Sequence, residues 1–240
     1  MTLLIPDYIQ NSGILSKQPL NYEWLDDDVY EHTAKEVPRL KKRIQGISLR
    51  GIVALAAACT EWVAWRLEPY ADDKTLFSFI EAIWAGIIDW DYINPERMPA
   101  RWFKRVNWMG PVQGPLGEAF NILEESVRAA MGIFATAHTA VYASNLVEHI
   151  IDNKTPFRQW RNTTIETLIR IEPFNKEDPV GQAVPREFLN PDLNSTSKDR
   201  LVFLSNFLKG IKYDDNQFLR SPSDMRDAGF QGTPYAPLTD

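Results

Sequence analysis

Apolar residues in this chain fall either in long runs or at three- and four-residue spacings, and both patterns predict helices. Residues 47–67 form the clearest case: Ala54, Ala56, Ala57, Ala58 and Ala64 favour helix, no breaker follows Gly51, and Pro69 ends the segment. Asp72 or Asp73 can then cap a second helix over 74–90, where Phe77, Ile80, Ile83, Trp84, Ile87 and Ile88 share one face. A long helical region over 118–151, a turn at 152–156 and a return helix over 157–171 repeat that plan. Shorter helices are predicted from Thr33 or Ala34 through Arg43, with Pro38 in the first turn or at a kink, and over 198–213. No segment alternates apolar and polar residues as a half-buried strand does. The pattern predicts an all-α fold.

The two hairpins also echo each other in sequence. Ala58-Cys59-Thr60-Glu61-Trp62-Val63-Ala64 returns as Ala137-His138-Thr139-Ala140-Val141-Tyr142-Ala143, about 80 positions later, and Asp72-Asp73-Lys74-Thr75 returns as Asp152-Asn153-Lys154-Thr155. Ser48-Leu49-Arg50 and Ser126-Val127-Arg128 extend the echo upstream. An internal duplication is expected, with repeat units 47–90 and 126–171 inside one helical domain, 1–220. The connector, 91–117, carries Pro95, Pro99, Gly110, Pro111, Gly114, Pro115 and Gly117, too many breakers for continuous helix. Residues 1–33 are expected to be an irregular lead-in with one short helix, and 221–240 an extended or disordered tail unless docked.

Charge narrows the classes of partner. With 26 basic and 32 acidic side chains the chain carries −6, which disfavours nucleic acid and favours a basic protein partner. The most apolar stretch, between Arg50 and Glu61, is far shorter than the roughly 20 residues that cross a bilayer. A single cysteine, Cys59, and a start with no secretory leader place the expected location in the cytoplasm.

Candidate chemistry is sparse. Gly110, Gly114 and Gly117 precede a helix, but their spacing matches no phosphate loop, and Pro111 and Pro115 remove donors that such a loop needs. His149 with Asn145, Glu148 and Asp152 makes a compact polar cluster without the ligand spacing of a metal site, so neither metal nor cofactor is expected. Glu61 interrupts an apolar helix and is expected to form a structural ion pair with Arg50, Arg66 or Arg128. The densest recognition chemistry lies at Asp89, Trp90, Asp91, Tyr92, Arg101 and Trp102, residue types that dominate interface hot spots.

The acidic, helical, duplicated character of the chain, with aromatic connectors and no catalytic set, resembles that of bacterial immunity proteins that guard against antibacterial effectors. The segments carrying the resemblance are residues 50–62 and Gly110-Pro111-Val112-Gln113-Gly114-Pro115-Leu116. It implies a non-enzymatic inhibitor that binds and neutralises a cognate toxin. Two other classes stay open on the sequence: an adaptor or chaperone holding a client helix between the hairpins, and a helical metal-dependent hydrolase using Glu61 or the His149 cluster.

Overall fold

A computed structural model describes residues 3–15, 18–98, 108–134, 136–193 and 197–238. It is all-α: helices join through turns and two isolated antiparallel bridges, Ile47 with Pro173 and Ile93 with Leu219, and no strand occurs among the described residues.

The centre is α4 (Leu49–Leu67), in which every residue except Arg50 is buried. A helix apolar all round must be covered on every side. The helices α5 (Thr75–Ile88), α6 (Gly110–Met131) and α7 (Ala137–Ile150) pack against it, α6 and α7 most extensively. Its alanines leave room for that close approach. The first-turn N–H groups of a helix lack intrahelical acceptors, and here a distant loop and the N-cap serine supply them. Leu49 N donates to Pro179 O at 2.9 Å, Arg50 N to Val180 O at 3.0 Å and Gly51 N to Ser48 Oγ at 3.2 Å.

The return helix α8 (Thr155–Ile171) follows α7 as α5 follows α4, and the two turns use one device. Asp73 Oδ1 accepts from Thr75 N at 2.7 Å, and Asn153 Oδ1 accepts from Thr155 N at 3.2 Å. The helices themselves differ in length: α4 has 19 residues and α7 has 14.

Expected boundaries are corrected at both ends of α6. The continuous helical region 118–151 breaks after Met131, where Ile133 N donates to Ala130 O and Phe134 N to Ala129 O, closing the helix with a left-handed residue. That residue is Ile133, at φ 57°. Conversely, the breaker-rich end of the connector is helical from Gly110. Pro111 sits in the first turn, where no N–H is needed, and Pro115 leaves only the Pro111 carbonyl without its helical donor. The hydroxyl of Tyr22 donates to that carbonyl.

The shorter elements close the core. In the lead-in lie α1 (Asp7–Gln10) and α2 (Val29–Thr33), followed by α3 (Pro38–Ile44), which begins at Pro38 and not at Thr33 or Ala34 as expected, because the residue before a proline is driven out of helical backbone and Val37 lies at φ −122°. After a looped stretch come α9 (Arg200–Gly210) and α10 (Pro222–Asp227), the latter opened by a Ser221–Asp224 capping box. The closing segment is docked: Met225 is fully buried, the Tyr235 hydroxyl donates to Arg220 O at 2.7 Å, and Leu238 N donates to Ser205 Oγ at 2.9 Å. No helix among the described residues is long and apolar enough to cross a membrane.

Candidate functional site

Residues 18–35 cross α6 and α7 as a strap, and most of the contacts that hold it run between a side chain on one partner and backbone on the other. Asn145 Nδ2 donates to Thr33 O and Lys35 O, both at 2.8 Å. His149 Nε2 lies 2.7 Å from Glu23 O, so it carries the proton and donates. Asn21 Nδ2 donates to Asp152 Oδ2 at 3.3 Å. At the other edge, the Asp26 carboxylate accepts from Gly110 N at 2.9 and 3.0 Å, capping α6 from outside the helix, and Thr33 Oγ1 donates to Glu118 Oε1 at 3.1 Å.

The glycines that resembled a phosphate cradle have a packing role instead. A Cβ added at Gly114 would lie 2.0 Å from Trp24 Nε1, and one at Gly117 would lie 2.6 Å from Trp108 Cβ. Both glycines therefore open the α6 surface to an indole. Beside them lies a cleft of about 150 Å³, lined by Asp26, Asp27, Val29, Trp108, Met109 and Phe120 among others. It combines carboxylates from the strap with an aromatic wall from α6 and the residues just before it.

The strap also brings two histidines together. His32 and His149 stack with ring centroids 4.2 Å apart, flanked by Trp24 at 5.0 Å from His32 and Tyr22 at 5.6 Å from His149. His32 Nε2 accepts from Leu25 N at 3.0 Å. Burial holds the pKa of His149 below its ordinary value; the hydrogen bond to Glu23 O opposes this, and the neighbouring His32 and Lys154 act with burial. Glu148, by contrast, turns away from this pair to Arg158 and Arg161; burial alone would raise its pKa, but these hydrogen bonds and charges bring it below the ordinary range. The polar cluster of Asn145, His149 and Asp152 is thus the strap's receiving surface. Among the described residues no group of three or more His, Cys, Asp or Glu side chains is arranged to hold a metal.

The hot-spot residues expected at a partner surface lie elsewhere: Asp89, Trp90 and Asp91 are partly exposed but engaged within the chain, and Tyr92 is buried. Asp89 accepts from Asp91 N at 2.9 Å, Trp90 lies under the Arg50 guanidinium at 5.7 Å, and Asp91 pairs with Arg220 at 3.3 Å. Tyr92 is 1% exposed and packs on Phe230 and Tyr235, so it is not available to a partner. The docked C-terminal segment covers it. Arg101 and Trp102 lie outside the described residues.

Glu61 does form a structural ion pair, but not with the expected arginines. Arg186 takes it through two bonds, Nε to Oε1 at 2.8 Å and Nη2 to Oε2 at 2.7 Å, and Trp84 Nε1 donates to Oε1 at 2.5 Å. Arg50 instead donates to Gly181 O at 3.3 Å, Arg66 to Gln18 O and Pro19 O at 3.3 and 3.1 Å, and Arg128 pairs with Glu124. The partner was illegible because Arg186 sits in a loop without periodicity, on a short 3₁₀ turn far along the chain. Cys59, wholly buried, has its thiol pushed up to about 12 by burial, which makes it an inert core residue.

Comparison with protein-family models, with curated proteins and with solved structures gives no match for this chain.

Proposed function

We propose that this chain is a non-enzymatic binding protein, an immunity protein that neutralises a cognate bacterial toxin with a basic surface by direct complex formation. The observation that carries the reading is the acid-rimmed, aromatic-walled cleft where the strap meets α6, set in a chain of net charge −6. Carboxylates around an aromatic surface suit a basic protein, because opposite charge speeds encounter while a buried ring lengthens the complex lifetime. Within the Asp89–Tyr92 segment Tyr92 is buried and Asp91 is paired with Arg220, so the cleft is preferred to it as the proposed contact.

Co-expression with the product of a neighbouring gene tests this. An equimolar complex is expected on size-exclusion chromatography with light scattering. Asp27→Asn should slow its association at low salt, an effect that fades as salt screens the charge. Absence of any complex, together with binding of many unfolded clients, would favour the adaptor reading instead. That alternative has one observation behind it, the packing of the short helix α2 against α7 within the strap.

A further inference from the structure

We propose that residues 18–35 form an acid-released strap, locked onto α7 at neutral pH by the stacked imidazoles of His32 and His149. The two rings hold opposite hydrogen-bonding roles. His149 donates from Nε2 to Glu23 O at 2.7 Å, and His32 accepts at Nε2 from Leu25 N at 3.0 Å. Each histidine on one side of the stack therefore fixes a backbone group within the same three residues of strap. The rings themselves lie 4.2 Å apart, so this arrangement accommodates two neutral imidazoles.

A proton breaks it in two ways. At His32 it would occupy Nε2 and displace the Leu25 N–H, leaving two donors facing each other. At His149 it would place a cation against the other ring, in a site where burial already disfavours charge. The surrounding charges give little relief. From the turn after α7, Lys154 adds positive charge. Among the carboxylates, Glu148 of α7 is held by Arg158 and Arg161, and Asp152 accepts from Asn21. In the strap, Asp26 caps Gly110 and Asp28 accepts from Glu31 N, while Glu118 of α6 accepts from Thr33. Tyr22 and Trp24 present rings.

The sign follows from linkage. A histidine whose pKa is depressed in the folded state, as that of His149 is, contributes stability that is present above its unfolded value, 6.5, and lost as pH falls from there through the folded value, because the imidazole freed by strap release takes the proton first. The strap is therefore closed above neutrality and opens on acidification. Opening uncovers the Gly114 face of α6 and the polar receiving surface of α7, and dismantles the acid rim of the cleft.

Amide hydrogen exchange on the full chain, corrected for intrinsic rates and run between pH 7.5 and 5.5, reads this directly. The Leu25 amide is the most informative probe, since its acceptor is His32. Its protection should fall by up to about tenfold per pH unit for each proton taken up, while α4 amides keep theirs. His32→Gln and His149→Gln, which can retain an acceptor and a donor without titrating, should flatten that dependence. Equal changes at Leu25 and α4, or a slope that survives both substitutions, would overturn the proposal. If the variants fail to fold, ¹⁵N imidazole spectra of the unaltered protein decide instead. A neutral His149 protonated on Nε2 and a neutral His32 protonated on Nδ1 are expected, and the reverse tautomers would sink the idea. No partner is needed for either measurement, so their outcome is independent of the toxin-binding reading.

Discussion

Ile133 is the residue whose local chemistry conflicts most with its place in the fold. It sits at φ 57° in the position where a helix-ending turn favours glycine, and its branched Cβ crowds the following carbonyl there. Gly132, one position earlier, is at φ −82° and does not use its freedom. Ile133→Gly is therefore expected to stabilise the fold by about 1 kcal/mol, read as a higher urea midpoint at unchanged slope. A lower midpoint would show that the exposed isoleucine side chain contributes packing that outweighs its backbone strain. The same scale explains why the pairing of Glu61 was half legible. A carboxylate flanked by Thr60 and Trp62 in an apolar helix predicts a buried pair, but the partner is chosen by which arginine the fold brings there.

At the scale of elements, α6 shows how breakers become tolerable once tertiary contacts are counted. Proline in a helix frees one carbonyl, and Tyr22 fills that need; glycine lowers helix propensity, and Trp24 occupies the space that Gly114 leaves. Propensity alone predicts that Gly114→Ala stabilises α6 by up to about 1 kcal/mol. Because the added carbon would meet the indole of Trp24, the expected outcome is the opposite for the strap. Limited proteolysis at neutral pH should cut within residues 18–35 faster in the variant, with helix content unchanged. Unaltered cleavage would mean that the indole shifts without releasing its segment.

For the whole molecule, the Glu61–Arg186 pair joins segments far apart in sequence. Arg186 binds Glu61 in the central helix and also donates through Nη2 to Leu4 O at 2.6 Å, so one guanidinium ties the core, the late loop and the start of the described chain together. The Glu61 side chain is fully buried, and removing its partner leaves a charge with only Trp84 to answer it. Arg186→Met should cost about 3–5 kcal/mol in denaturant unfolding. Adding Glu61→Gln to that variant should recover part of the loss, since the stranded charge disappears. If the double variant is no more stable than Arg186→Met alone, the cost lies in the loop and the Leu4 contact instead.

The sequence by itself determined the fold class, the central apolar helix and both hairpin turns, because these depend on periodicity and on contacts within a few residues. Asp73 and Asn153 accept from the Thr75 and Thr155 amides, although the N-cap positions themselves fall on Lys74 and Lys154 and not on the expected Asp72 or Asp73, and the alanines of α4 serve close packing as their size implied. Neither the helical start of α6 nor the break at Ile133 was legible, since each is settled by a partner or strain that local propensity does not register. The His149 cluster was visible as a group of polar residues, yet its role as a receiving surface depends on Glu23, His32 and Thr33, which fold back from more than a hundred positions upstream. Likewise the aromatic and acidic residues at 89–92 have hot-spot chemistry, but only the docked C-terminal segment decides that Tyr92 faces inward. Tertiary structure selects among long-range partners because burial, not sequence proximity, sets which polar groups must be satisfied.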